Sequence, residues 1–203
     1  ETDFVARNAE FIETGEKMIQ TVLKKGLTEA DDELNGYVDD LRSSIKENIG
    51  LKRSVTISFG PNDIVADYIH GEGKIGVLAK VTTSGPEVAT HEAVKQFAFD
   101  CALHVAAFNP AFLSRENVDP AYLSEQEAIF KKQAEGLDKP EKVVAGIVKG
   151  KLNKHLSEVV FLDQGFVKEE KTKVSAIADR VGKEVKGTVA VTDYRYYRVG
   201  EEV

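Results

Sequence analysis

Residues 54–81 read SVTISFGPNDIVADYIHGEGKIGVLAKV, and the fold class turns on how this stretch is parsed. Val55, Ile57 and Phe59 alternate with Ser54, Thr56 and Ser58, the two-residue period of a half-buried strand. Gly60-Pro61-Asn62-Asp63 is turn chemistry, and the β-branched runs at 64–69 and 75–81 flank a second glycine-rich break at Gly71 and Gly73. Three strands joined by short turns are expected to form an antiparallel meander.

On both sides the period changes to that of a helix. Upstream, Phe4, Phe11, Ile12, Met18, Ile19, Val22 and Leu23 predict a first helix that stops at Gly26. Leu34, Val38, Leu41, Ile45 and Ile49 predict a second, ending at Gly50. Downstream, residues 86–108 carry the stripe Val94, Phe97, Cys101, Val105 and Phe108 before the Asn109-Pro110 stop. Two charged amphipathic segments over 124–156 flank a Gly136-to-Pro140 break and read as a helical hairpin. A short apolar piece at 159–162, a small helix around Val174, Ile177, Ala178 and Val181, and a last strand over 187–198 complete the chain. Strands and helices segregate instead of alternating, which favours an α+β fold.

Composition narrows the function classes. The 203 residues are 42% hydrophobic, enough for a substantial core. With 34 acidic against 27 basic residues the formal charge is −7, which opposes direct binding to a phosphate backbone. A single cysteine, Cys101, excludes a disulfide framework and suits a reducing, cytoplasmic setting. No run reaches the ~18 apolar residues of a membrane helix. The first residue is Glu1 and not Met, as expected of a processed or shortened chain.

Few motifs promise chemistry. Gly71-Glu72-Gly73-Lys74-Ile75-Gly76 matches the dinucleotide pattern G-x-G-x-x-G, which would make the chain a nucleotide-binding enzyme. That pattern must open a helix whose N–H groups meet the phosphates, whereas here a β-branched run follows. A turn between strands is the ordinary reading. Cys101 and His104, three apart, could pair as thiolate and imidazole, though their apolar neighbours suit a core cysteine better. His70, His91, His104 and His155 show no metal-ligand spacing, and no nucleophilic triad is discernible. No catalytic residue, metal or cofactor is expected.

The run Thr2-Asp3-Phe4-Val5-Ala6-Arg7-Asn8 has an ordinary reading as a capped helix start with Phe4 packed beneath it. The same run, followed by Phe11, resembles the signature of the elongation factor Ts family of bacterial translation. So do ENIGLKR at 47–53, YIHGEGKIGVLAK at 68–80, LHVAAFNPAFL at 103–113, KGKLNKHLSEV at 149–159 and RVGEE at 198–202. These strings keep the family's order and reach across essentially the whole chain. The opening run and His104-Val105-Ala106-Ala107 are the specific ones.

The resemblance implies a non-catalytic guanine-nucleotide exchange factor whose partner is the GTPase elongation factor Tu. Thr2, Asp3, Phe4 and Val5 would enter beside the bound GDP and displace its Mg²⁺. Ile75, Gly76, His104 and Val167 would make secondary contacts. It further implies a first core lobe at 1–84 and a second at 85–123 and 157–203, each a small antiparallel sheet packed with helices, and a protruding antiparallel hairpin insertion at 124–156 through which some relatives self-associate. A passive dimeric module built on that hairpin is the alternative from another class. The sequence departs from the family at Gly165, where proline is usual, and the small helical domain that usually precedes the signature is not among these residues.

Overall fold

The computed structural model describes residues 3–136 and 139–201, without the side chain of Asp3. The chain is α+β with two small antiparallel sheets. It divides into two compact units, residues 1–58 with 199–203 and residues 59–198.

The first unit is helical. A single turn, α1 (Asp3–Ala6), precedes α2 (Ala9–Lys25), and α3 (Asp32–Ile45) follows. The expected continuous first helix is broken because Asn8 caps α2, its side chain accepting from Glu10 N at 2.8 Å and Phe11 N at 3.3 Å. Gly26 ends α2 in the left-handed region at φ 64°. Asp31 then caps α3 through Leu34 N, and Lys25 pairs with Asp31 and Glu33 at 2.6 Å each. At the other end Ser44 donates to Glu10, so the two helices run antiparallel. Val22, Leu34, Val38 and Leu41 are buried between them. The second helix stops at Ile45 and not at the expected Gly50, because Lys46 turns left-handed at φ 62°.

One expected strand does not form. Among the described residues Val55, Ile57 and Phe59 belong to no sheet, and Phe59 is 68% exposed. Alternation marks a segment able to be a strand, but the ladder needs a partner, and no described strand pairs with this segment. Within the first unit the preceding residues are tied to the chain's far end, with Arg53 paired to Glu201 at 2.8 Å.

The second unit is built on β1 (Asp63–His70) and β2 (Ile75–Thr83), the two remaining strands of the meander. Next come α4 (Pro86–Ala89) and α5 (Glu92–Phe108), separated where His91 caps α5 through Ala93 N at 3.2 Å. The hairpin helices are α6 (Pro120–Ala134) and α7 (Glu141–Val159), each reaching further toward the base than 124–156. Two short strands, β3 (Gly165–Phe166) and β4 (Glu169–Lys173), lead to α8 (Val174–Glu184) and β5 (Val189–Arg198). The larger sheet has the order β1-β2-β5, all antiparallel. The strands at 63–83 thus share a sheet with the last strand of the chain.

Packing follows the strand period. Val77, Ala79, Val81, Val189 and Val191 point from one face of the sheet into a core with Val94, Phe97, Cys101 and Val105 of α5 and Val174, Ile177 and Ala178 of α8. The hairpin has its own small core at the base, where Val118, Leu156 and Val160 are buried against Phe112, Tyr122 and Leu152. Tyr122 Oη and His155 Nε2, 2.7 Å apart, join α6 to α7 there. Arg115 ties that base to the body by bonding both Asp163 and Asn153.

Candidate partner-binding site

The signature residues lie at the start of the first unit. Thr2 and the side chain of Asp3 fall outside the described residues. Phe4 sits in α1 with 81% of its surface exposed, while Val5 is half-buried and its carbonyl accepts the Asn8 N–H at 3.0 Å. The ordinary reading, Phe4 packed beneath the helix, does not hold. A phenylalanine left in water forgoes about 1.5–3 kcal/mol of burial energy, and the described residues recover little of it here. An exposed aromatic on one helical turn is free to serve as an anchor.

Gly71 to Lys74 form the turn between β1 and β2. Gly71, Glu72 and Gly73 all have positive φ, at 61°, 57° and 90°, which only a glycine-rich loop holds cheaply. The turn closes with Lys74 N on Gly71 O at 3.2 Å, and His70 pairs with Ile75. No helix begins there, so the G-x-G-x-x-G pattern offers no phosphate cradle and the dinucleotide reading loses its structural basis. Ile75 and Gly76 open β2 and are half-buried. Among the described residues a side chain at Gly76 would meet only Ile69 Cδ1, at an ordinary 3.6 Å, so none of them demands glycine at that position.

His104 is placed otherwise than a surface contact requires. It is fully buried, 0% exposed, among Phe108, Phe161 and Phe166 at ring distances of 4.7, 5.1 and 6.0 Å. Its Nδ1 accepts the Val167 N–H at 3.0 Å, which fixes the proton on Nε2, and Nε2 donates to Gln164 Oε1 at 2.9 Å. Gln164 Nε2 in turn donates to the Glu158 carbonyl at 2.7 Å. Burial pushes the imidazole pKa below its usual 6.5, with the Gln164 bond opposing part of that shift. Both ring nitrogens are therefore occupied by structural bonds. No thiolate-imidazole pair with Cys101 is available, and burial drives that thiol far above its usual range.

Val167 is half-buried in the turn between β3 and β4. A Cβ on Gly165 would lie 2.1 Å from the Glu170 carbonyl oxygen, so any other residue there would require the facing backbone to shift. Periodicity alone does not single out Gln164 or Gly165, yet the heptad-like row Phe97, Cys101, His104 and Phe108 could have marked His104 as inward-facing.

Among the described residues no group of three or more His, Cys, Asp or Glu could hold a metal ion, and no helix is long and apolar enough to cross a membrane.

The family model described as Elongation factor TS matches residues 1–201. The chain is 43% identical over 200 residues to elongation factor Ts of Treponema denticola, covering 98% of this chain and 71% of the relative. It is 39% identical over 201 residues to elongation factor Ts of Borrelia hermsii, covering 98% and 72%. Against elongation factor Ts of Treponema pallidum strain Nichols the identity is 38% over 203 residues, covering 98% and 70%. With a family model matching residues 1–201 and these identities, the chain belongs to the elongation factor Ts family of translation elongation factors.

Proposed function

We propose that the chain binds elongation factor Tu carrying GDP and promotes release of the nucleotide by displacing the bound Mg²⁺, acting in the cytoplasm. The observation that carries this reading is Phe4, an aromatic side chain that the fold leaves 81% exposed inside the family's signature run. Thr2, Asp3, Phe4 and Val5 enter beside the nucleotide. Mg²⁺ holds a diphosphate through near-ideal octahedral geometry, so a small shift of its ligands loosens GDP. The chain performs no bond chemistry of its own.

One ring is not enough. A ~10⁴-fold change in nucleotide affinity corresponds to about 5.5 kcal/mol of coupling, beyond the 1.5–3 kcal/mol of a single buried phenylalanine. Ile75, Gly76 and Val167 supply further contacts, and the open side of Gly76 suits close approach by the GTPase. His104 contributes from beneath, by holding Val167.

The test is stopped-flow release of fluorescent GDP from elongation factor Tu. A substoichiometric amount of the chain is expected to speed release. By reciprocity, excess GDP must expel the chain from the complex. A release rate indifferent to the chain would remove the proposal, and the alternative of a passive hairpin dimer predicts that indifference.

A further inference from the structure

The turn that carries Val167 is held by two α5 side chains, Asp100 and His104, which sit four residues apart and so share one helix face. His104 takes the Val167 N–H. Asp100 takes the neighbouring residue: its Oδ1 lies 2.7 Å from Lys168 Nζ and also accepts from Gln96 Nε2 at 2.8 Å. Asp100 is only 6% exposed, whereas the Lys168 side chain is 52% exposed.

A carboxylate set into a core helix is an unusual way to fasten a surface turn. Ion pairs withdrawn from water gain little net stability, and apolar side chains of similar volume often do as well. What a charge-assisted hydrogen bond adds is direction. The turn needs that direction, because β3 is two residues long and its pairing with β4 shifts register between Gly165 and Phe166. Its own ladder cannot fix where residue 167 points.

We propose that Asp100 is a positioning residue for partner binding: with Lys168 and His104 it pre-orders the β3–β4 turn so that Val167 meets the GTPase without an ordering cost. The proposal rests on the reading that Val167 docks on that partner. Pre-ordering a contact strengthens binding by removing entropy that association would otherwise lose.

The experiment uses the whole chain with Asp100→Asn, Lys168→Met, the double variant and Lys168→Arg. The first keeps the side chain's shape and the second is already largely outside the core, so both fold. Two readouts are followed, namely the chain concentration giving half-maximal GDP release from elongation factor Tu and the hydrogen exchange of the Val167 amide. Each single variant is expected to raise the half-maximal concentration about 3- to 10-fold, as coupled contacts do, with the saturating rate kept. The double variant should be no worse than either single one, Lys168→Arg should restore the wild-type value, and the Val167 amide should exchange faster without Asp100.

Unchanged half-maximal concentrations in the face of normal wild-type release would overturn the proposal, as would additive losses in the double variant, which would mean that Lys168 acts by touching the partner. A wild-type chain that fails to release GDP refutes instead the docking reading. The exchange experiment still decides the positioning: an undisturbed Val167 amide in Asp100→Asn contradicts it.

Discussion

Replacing Phe4 by alanine is expected to lower the chain's acceleration of GDP release about 10- to 100-fold, the range of a central aromatic anchor, while leaving the melting temperature where it was. The two halves of this result come from one fact. Phe4 is 81% exposed on a four-residue helix, so the folded chain loses almost no buried surface when the ring is removed. In the complex the same ring would be desolvated and packed, and its loss appears entirely in the partner's kinetics. Stopped-flow release paired with a thermal melt separates the two. A large fall in melting temperature would return Phe4 to the ordinary role of a packed helix residue. Full activity in the variant would remove the ring from the exchange mechanism.

His104→Ala should do the opposite, destabilising the fold by about 3–5 kcal/mol through a cavity between three phenylalanines and two orphaned hydrogen-bonding groups. Those groups are the Val167 N–H and Gln164 Oε1. A urea titration followed by circular dichroism measures the loss. The buried imidazole also gives the wild type a pH response of fixed sign. Its folded pKa lies below the unfolded value near 6.5, so the unfolded chain takes up a proton first as the pH falls. The contribution is fully present above about 6.5 and declines below it, down to the folded pKa. His104→Ala should lose that part of the acid sensitivity. A variant as stable as the wild type, or equally sensitive to acid, would mean that the ring is not the neutral bridge described above.

How much of this could be read from residues alone depended on which interaction decided each element. β1, β2 and β5 were legible because alternation and the glycine turn at 71–73 are local signals. Residues 55–59 carry the same alternation without forming a strand, since pairing is a property of neighbours and not of the segment. The helix breaks at Asn8 and His91 escaped a period count because each rests on one capping side chain. β3 and β4 were invisible for another reason. EEKTK shows no apolar alternation, and their closure hangs on the missing side chain of Gly165.

The site was less legible than the fold. Nothing in periodicity separates an exposed Phe4 from a buried one, because an apolar residue at a helix start gives the same signal either way. Only the family resemblance pointed to it. The same resemblance put His104 on a contact surface, whereas its burial makes it a support for Val167. Asp100 and Gln164 gave no signal in the sequence, since the partners that give them their roles, Lys168 and His104, lie about 60 to 70 residues further along or back.

The claim that matters most is that the chain loosens GDP by displacing the divalent cation, and removing that cation beforehand tests it directly. Release of fluorescent GDP from elongation factor Tu is measured with saturating chain, once in millimolar Mg²⁺ and once in excess chelator. If cation displacement is the main lever, GDP already leaves quickly without Mg²⁺, and the chain's acceleration shrinks by about 10-fold or more, the loss of a metal's charge stabilisation. An acceleration equally large in chelator would contradict the account.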